Sequence, residues 1–325
     1  MTDSMKAVFI DQHGGAAVLR YSDFPKPVPA AGQALVKVAA SGVNFIDAYQ
    51  RSGLYKIPLP CVLGMEGAGT VEALGEGVTG LRVGDPVAWA MSRGSYAEYA
   101  AVPAHFLVKV PAALDLRQAA AAMLQGMTAH YLTHSTFPIE PGHTTLVHAA
   151  AGGTGRLISQ MVKMRGGRVI GTAGTREKAE VARQAGAADV ILYREQDVVA
   201  EVKRLTDGKG VDVVYDGVGD ATFMQSIDCL KPRGMMVLFG QSSGPVKPVD
   251  PSLLQNKGSL FLTRPTLAHY SSPDEVKWRS GDVLGWIVSK KLELLIERVY
   301  PLADAAQAQN DLEGRKTMGK LILTV

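Results

Sequence analysis

Residues 144–155, Thr-Thr-Leu-Val-His-Ala-Ala-Ala-Gly-Gly-Thr-Gly, constrain the fold more than any other stretch. An apolar, β-prone run through Leu146, Val147 and His148 enters a turn of alanines and glycines, and an amphipathic segment, 156–165, leaves it. Strand, tight turn and helix start, in that order, open a dinucleotide-binding βαβ unit. Gly152, Gly153 and Gly155 carry no Cβ, so backbone there can approach a pyrophosphate closely. The helix start then offers free N–H groups at the positive end of its dipole. The pattern is A-x-x-G-x-x-G, with Ala149 standing where the first glycine is usual. A ligand-free glycine turn would look the same in isolation; the strand before it and the helix after it favour cofactor binding.

The surrounding periodicity extends this unit. Apolar runs at 144–148, 168–172, 189–192, 211–215, 235–239 and 260–262 alternate with helical patterns such as 177–185 and 197–206. This is the signature of an α/β, doubly wound parallel sheet, whose ligand lies at the carboxyl ends of the strands. The first third is β-rich, with strands at 6–10, 34–39 and 94–102, an extended turn through Pro25, Pro27 and Pro29, and glycine turns from Gly64 to Gly84. It predicts a small, bent β-barrel or partial sandwich. A helix over 116–134 crosses to the second domain. From Pro273 a helix to Val288, a strand near 294–299, a helix near 303–312 and a final strand 320–325 return to the first domain. With 325 residues the chain is long enough for two domains. The expected division is 1–125 completed by 266–325, and 126–265.

Composition excludes several classes. The net charge of +3 is spread without a basic block, so nucleic acid is not the expected partner. Cys61 and Cys229 form neither a disulfide framework nor a Cys-x-x-Cys metal site, which fits a reducing, cytoplasmic setting. Met1 to Ser4 lacks an apolar leader. The longest stretch without Asp, Glu, Lys or Arg, 118–139, holds Gln125, His130 and His134 and reads as a helix of a globular domain, not a membrane span.

A family resemblance is carried by Gly42-Val43-Asn44-Phe45-Ile46-Asp47 with Tyr49, Arg51-Ser52-Gly53-Leu54-Tyr55, GMEGAGTVEALGEGV from Gly64, QGMTAHYL from Gln125, VHAAAGGTG from Val147 and FGQSSG from Phe239. With these the chain resembles the zinc-free medium-chain dehydrogenases/reductases, and within them the quinone oxidoreductases related to zeta-crystallin. The resemblance implies a GroES-like β-barrel catalytic domain, a Rossmann domain, and NADPH as hydride donor to quinones. Zinc-dependent members carry a Cys near the Asn44 position and a Gly-His-Glu motif; here the residues are Asn44 and Gly64-Met65-Glu66. An amide and a thioether do not make the thiolate and imidazole set that zinc prefers, so no metal is expected. His130 and His134, at i and i+4, have no nearby glutamate in a zincin arrangement.

Cofactor choice turns on the end of the second strand of the parallel sheet. NAD proteins place an acid there for the ribose 2′-hydroxyl. This chain has Gly171-Thr172-Ala173-Gly174-Thr175-Arg176-Glu177-Lys178, in which Arg176 and Lys178 can meet a 2′-phosphate and Glu177 comes one step late, facing away. The alternative is that both cations are ordinary surface charges, although a first helical turn slightly disfavours them.

The remaining cofactor contacts follow from the resemblance. It implies Ala151, Gly152, Gly153, Thr154 and Gly155 at the pyrophosphate, Gly174 by the adenosine ribose, and Lys178 and Tyr193 at the adenosine phosphate. Asn44, Tyr49 and Thr128 match positions beside the nicotinamide. Phe239, Gly240, Gln241 and Ser242 match one loop, and Leu262, Thr263 and Arg264 match another. Arg156 follows the glycine turn where relatives carry an apolar residue; it faces solvent or reaches the pyrophosphate.

Asn44, Tyr49 and Tyr55 are the candidate catalytic residues, binding the acceptor oxygen while water completes protonation. No obligate acid is expected, because hydride addition to a quinone yields a stabilised anion. Two other readings stay open: an NADPH-dependent enoyl or alkenal reductase of the same superfamily, and a non-catalytic NADPH-binding protein, crystallin-like or RNA-associated. A homodimer is expected, paired through an edge strand near 259–263.

Overall fold

A computed structural model describes residues 3–325. The chain divides into two compact units, residues 128–270 and residues 1–127 with 271–325.

Unit 128–270 is built on a six-stranded, all-parallel sheet. Its spatial order is Asp189–Leu192, Arg168–Ala173, Thr144–Val147, Val211–Asp216, Leu230–Leu238 and Phe261–Thr263. Numbered by sequence within the sheet this is 3-2-1-4-5-6, the doubly wound order. The direction of winding reverses between Thr144–Val147 and Val211–Asp216, and loops diverge there at the carboxyl ends. The middles of the strands are apolar, and Leu146, Ile170, Val214 and Met236 are buried in one core with Phe223 and Ile227. Helix Gly153–Met164 buries Leu157, Ile158, Met161 and Val162.

The second unit, 1–127 with 271–325, contains a seven-stranded and a three-stranded sheet. Gln33–Val43 is the hub. It pairs antiparallel with Glu66–Leu74, with Tyr99–Pro103, and with the final strand Lys320–Thr324. Register shifts at Leu35/Val36 and Val38/Ala40 bend it, so one strand serves three neighbours. One core surrounds the buried Trp89 and another surrounds Tyr96, Ile10 and Leu63.

Three sequence expectations are corrected. The segment before the prolines is a strand, Arg20–Pro25, paired with Ser4–Ile10. The glycine-dense stretch after Gly64 is largely one strand of nine residues, Glu66–Leu74. Gly67 sits in its interior because a Cβ there would lie 2.7 Å from the Trp89 ring. The α-helix starting at Leu116 ends at Tyr131 and gives way to a π-helical turn, Leu132–Thr136, instead of running on to residue 134. No helix among the described residues is long and apolar enough to cross a membrane.

Candidate active site

The strand Thr144–Val147 delivers the chain to Ala149, whose φ of 50° is left-handed. This is the position where the motif usually has glycine, and an alanine there is strained. Gly152 N–H closes the turn onto the Ala149 carbonyl at 2.8 Å and caps helix Gly153–Met164 without any side-chain hydrogen bond. The first-turn N–H groups therefore take no bond from a capping side chain, as an anion-binding helix start requires. A Cβ on Gly155 would come within 3.0 Å of the Ala150 Cα, so this glycine allows helix and turn to pack closely. Ala151 is buried, and Gly152, Gly153 and Thr154 are half-buried.

At the end of Arg168–Ala173 the backbone at Gly174 is overlain by Tyr193: a Cβ would lie 2.6 Å from its hydroxyl. Thr175 caps helix Arg176–Gln184, accepting from the Lys178 N–H at 3.3 Å. Lys178 is half-buried beside this cap, whereas Arg176 is exposed and pairs with Glu195 at 3.5 Å. Arg156 does not face solvent. Its side chain is buried and reaches back to the Val181 carbonyl at 3.4 Å.

Asp216, at the end of Val211–Asp216, shapes the third loop. Its carboxylate accepts from Val218 N–H at 2.7 Å and Gly219 N–H at 3.1 Å. It also accepts from the Thr222 hydroxyl at 2.7 Å and the Ser226 hydroxyl at 2.8 Å. The loop with Phe239, Gly240, Gln241 and Ser242 is bonded to this one: Phe239 N–H donates to the Asp216 carbonyl at 2.9 Å and Ser242 N–H to the Gly217 carbonyl at 3.2 Å. Phe239 lies against Gly217, where a Cβ would be 2.9 Å from the ring. Leu262 and Thr263 belong to the edge strand, and Arg264 just beyond is exposed. Thr128 is half-buried at the start of this unit.

In the other unit, Asn44 is the N-cap of helix Phe45–Ser52 and is buried. Its Nδ2 donates to Glu66 Oε1 at 2.7 Å, and its Oδ1 accepts from Lys320 Nζ at 2.8 Å. Lys320 and Glu66, both buried, form an ion pair, and Leu124 N–H donates to Glu66 Oε2 at 2.6 Å. Asn44 is thus held inside a network. Tyr49 and Tyr55 are half-buried, their rings edge-on at 5.3 Å, with Tyr55 N–H bonded to the Tyr49 carbonyl at 3.0 Å.

Asp47 accepts from Asn44 N–H at 2.9 Å and from the Tyr96 hydroxyl at 3.0 Å. Burial pushes its carboxyl up to about 7, against the pull of those two bonds and of the Lys320 charge. Met65 faces the Gln50 amide, whose Nε2 lies 3.3 Å from its sulfur. Among the described residues, no group of three or more His, Cys, Asp and Glu could hold a metal ion.

Sequence reasoning missed Asp216, Ser226, Glu66 as a paired group, and Lys320. A charged residue at the end of a mostly apolar strand is the signal: Asp216 ends Val-Asp-Val-Val-Tyr-Asp, and Lys320 opens Lys-Leu-Ile-Leu-Thr.

With this geometry in place, comparison with known proteins is informative. Residues 30–112 match the alcohol dehydrogenase GroES-like domain and residues 153–275 the zinc-binding dehydrogenase domain. The chain is 43% identical over 321 residues to a quinone oxidoreductase of Pseudomonas aeruginosa, covering 98% of this chain and 99% of that protein. It is 40% identical to a 2-haloacrylate reductase of Burkholderia, covering 98% of each. The crystal structure of Escherichia coli quinone oxidoreductase complexed with NADPH superposes with a TM-score of 0.96, at 42% identity, over 98% of this chain and 100% of that one.

Proposed function

The chain belongs to the zinc-free quinone oxidoreductase family of the medium-chain dehydrogenases/reductases, and on that premise we propose that it is an NADPH-dependent quinone reductase. The observation that carries this reading is the cradle in unit 128–270. Gly152 to Gly155 offer a helix start without a side-chain cap, and Gly174 lies bare beneath the Tyr193 hydroxyl. No carboxylate stands at the end of Arg168–Ala173, where an NAD protein carries one, and Lys178 follows in the first turn of helix Arg176–Gln184. These residues fit a pyrophosphate and a 2′-phosphate, and Ala151, Thr128, Phe239–Ser242 and Leu262–Arg264 complete the set we assign to NADPH.

When bound, NADPH supplies a hydride. The protein binds and orients. Tyr49 and Tyr55 bind the acceptor oxygen, while Asn44, fixed by Glu66 and Lys320, anchors the helix that carries Tyr49. The quinone gains a hydride and a proton from solvent and leaves as the hydroquinone, so no strong side-chain acid is required. The edge strand Phe261–Thr263, with Phe261 58% exposed, supports a homodimer, and the free thiols of Cys61 and Cys229 support a reducing, cytoplasmic setting.

The 40% identity to a 2-haloacrylate reductase favours one second reading, reduction of an activated alkene at the same site. NADPH oxidation with 1,4-benzoquinone and with 2-chloroacrylate, beside NADH and with added chelator, separates the two. We expect chelator-resistant, NADPH-preferring turnover of the quinone. Turnover of the haloacrylate alone would replace the quinone, and silence with both in a protein that binds NADPH would leave only a binding function. Sedimentation of the same preparation as a monomer would remove the homodimer.

A further inference from the structure

Beneath the glycine turn runs a buried chain of hydrogen bonds. Ala149 N–H points to Thr172 Oγ1 at 3.3 Å, and Thr172 Oγ1 lies 3.1 Å from His148 Nδ1. His148 Nε2 lies 2.9 Å from Ser226 Oγ, which is 2.8 Å from Asp216 Oδ2. His148, Thr172, Ser226 and Asp216 are all buried. The Asp216 end dictates the direction. The Ser226 hydroxyl donates to the Asp216 carboxylate, so its oxygen accepts a hydrogen bond from Nε2–H of His148. With the proton on Nε2, the Nδ1 of the neutral imidazole accepts from the Thr172 hydroxyl, whose oxygen in turn accepts from Ala149 N–H. Every link is satisfied by a neutral imidazole protonated on Nε2, and burial holds His148 neutral by pushing its pKa down, against the Asp216 charge.

The chain joins the carboxyl ends of three neighbouring strands. Thr172 grips the turn twice, by its hydroxyl and by its carbonyl, which accepts from Ala150 N–H at 3.1 Å. Asp216 grips Val218 and Gly219, and through its carbonyl the loop beginning at Phe239. We infer that His148 is a positioning residue for the dinucleotide, its Nε2–H tautomer setting the glycine turn and the Asp216 loop in register with each other. This rests on the NADPH reading above. Nothing in it requires His148 to touch the cofactor or the acceptor.

The test uses the full chain and two variants on either side of the imidazole, each removing one of its two hydrogen-bond partners and leaving His148 itself in place. Thr172→Val keeps shape and removes the hydroxyl; Ser226→Ala removes the other link. Each should raise the Kd for NADPH, read by fluorescence titration, about tenfold, with the loss in KM for NADPH exceeding the loss in kcat. Thr172→Ser should restore wild-type binding. The double variant should lose far less than the product of the single effects, because one broken chain cannot be broken twice. Multiplicative losses, or unchanged Kd with only a lowered melting temperature, would overturn the inference and leave the NADPH reading intact. A wild-type chain that fails to bind NADPH would overturn both.

Discussion

Glu66 and Asp216 are both fully buried carboxylates at strand ends, one in each unit, and they are satisfied by different means. Glu66 faces the ammonium of Lys320, with the Asn44 amide and Leu124 N–H filling the remaining sites. Asp216 is held by four neutral donors, two backbone N–H groups and two hydroxyls. The reach differs as much as the chemistry. Lys320 lies 254 residues along the chain from Glu66, whereas every donor to Asp216 comes from within ten residues of it. The ion pair stitches the returning C-terminal strand onto the barrel. The neutral set folds a loop onto its own strand and leaves Ser226 free to pass the geometry on to His148. A buried charge pair is costly when one member is lost, because the other then sits uncompensated in a low-dielectric core. A carboxylate served by several neutral donors degrades by steps.

The largest expected effect tests the first half of that contrast. Lys320→Met leaves Glu66 buried without its cation and should cost about 3–5 kcal/mol of stability, read as a fall in the denaturant midpoint. Adding Glu66→Gln removes the orphaned charge, and the double variant should recover more than half of the loss. If Lys320→Met costs less than about 1 kcal/mol, Glu66 is reached by water and the two carboxylates are alike after all.

A second effect separates the ion pair from its neighbour Asp47, which lies in the same unit and has no cation bonded to it. The folded-state pKa of Asp47 is raised to about 7 from 3.8, so the folded protein holds this proton more tightly than the unfolded chain does. Stability from this source is full below the unfolded value and is lost as pH rises through about 7. Between pH 5 and pH 8 the loss should be roughly 2–3 kcal/mol. Asp47→Asn keeps an oxygen for Asn44 N–H and the Tyr96 hydroxyl and should flatten the profile. Urea midpoints at the two pH values decide it; a variant with the wild-type slope would mean that some other group carries the pH dependence.

The contrast also explains which features the chain announces before it folds. The glycine turn is local: strand, turn and helix start occupy twelve consecutive residues, and their meaning follows from backbone geometry alone. The alternating periodicity of residues 144–263 is equally local, which is why the parallel sheet could be read strand by strand. Glycines misled where their reason is distant. Gly67 makes room for Trp89, and Gly69 for the Lys37 carbonyl, so a stretch that looks like turns is a strand. The buried networks were hidden for the same reason. His148 meets Ser226 from 78 residues away, and neither residue type in its own neighbourhood signals a partner. Asn44 could be placed by family resemblance, but the reason its amide is held still lies in Lys320, at the other end of the chain.

The smallest effect probes how firmly the local feature is held by the non-local one. Ala149 occupies a left-handed conformation, φ 50°, at the mouth of the glycine turn. Its N–H is tied to Thr172, and its methyl group sits at an exposed position. An L-residue there is strained by roughly 1–2 kcal/mol, while glycine would lose about 0.5–1 kcal/mol through the greater freedom of its unfolded chain. Ala149→Gly should therefore stabilise the protein, by about 0.5–1 kcal/mol in the urea midpoint, with little burial lost. The same variant in a Thr172→Val background sharpens the comparison. If the Thr172 hydroxyl holds alanine in this conformation against its preference, removing that hydroxyl lets the strained residue relax elsewhere, and glycine should then restore NADPH affinity as well as stability. Equal gains in both backgrounds would mean that the turn holds its shape without the buried chain beneath it.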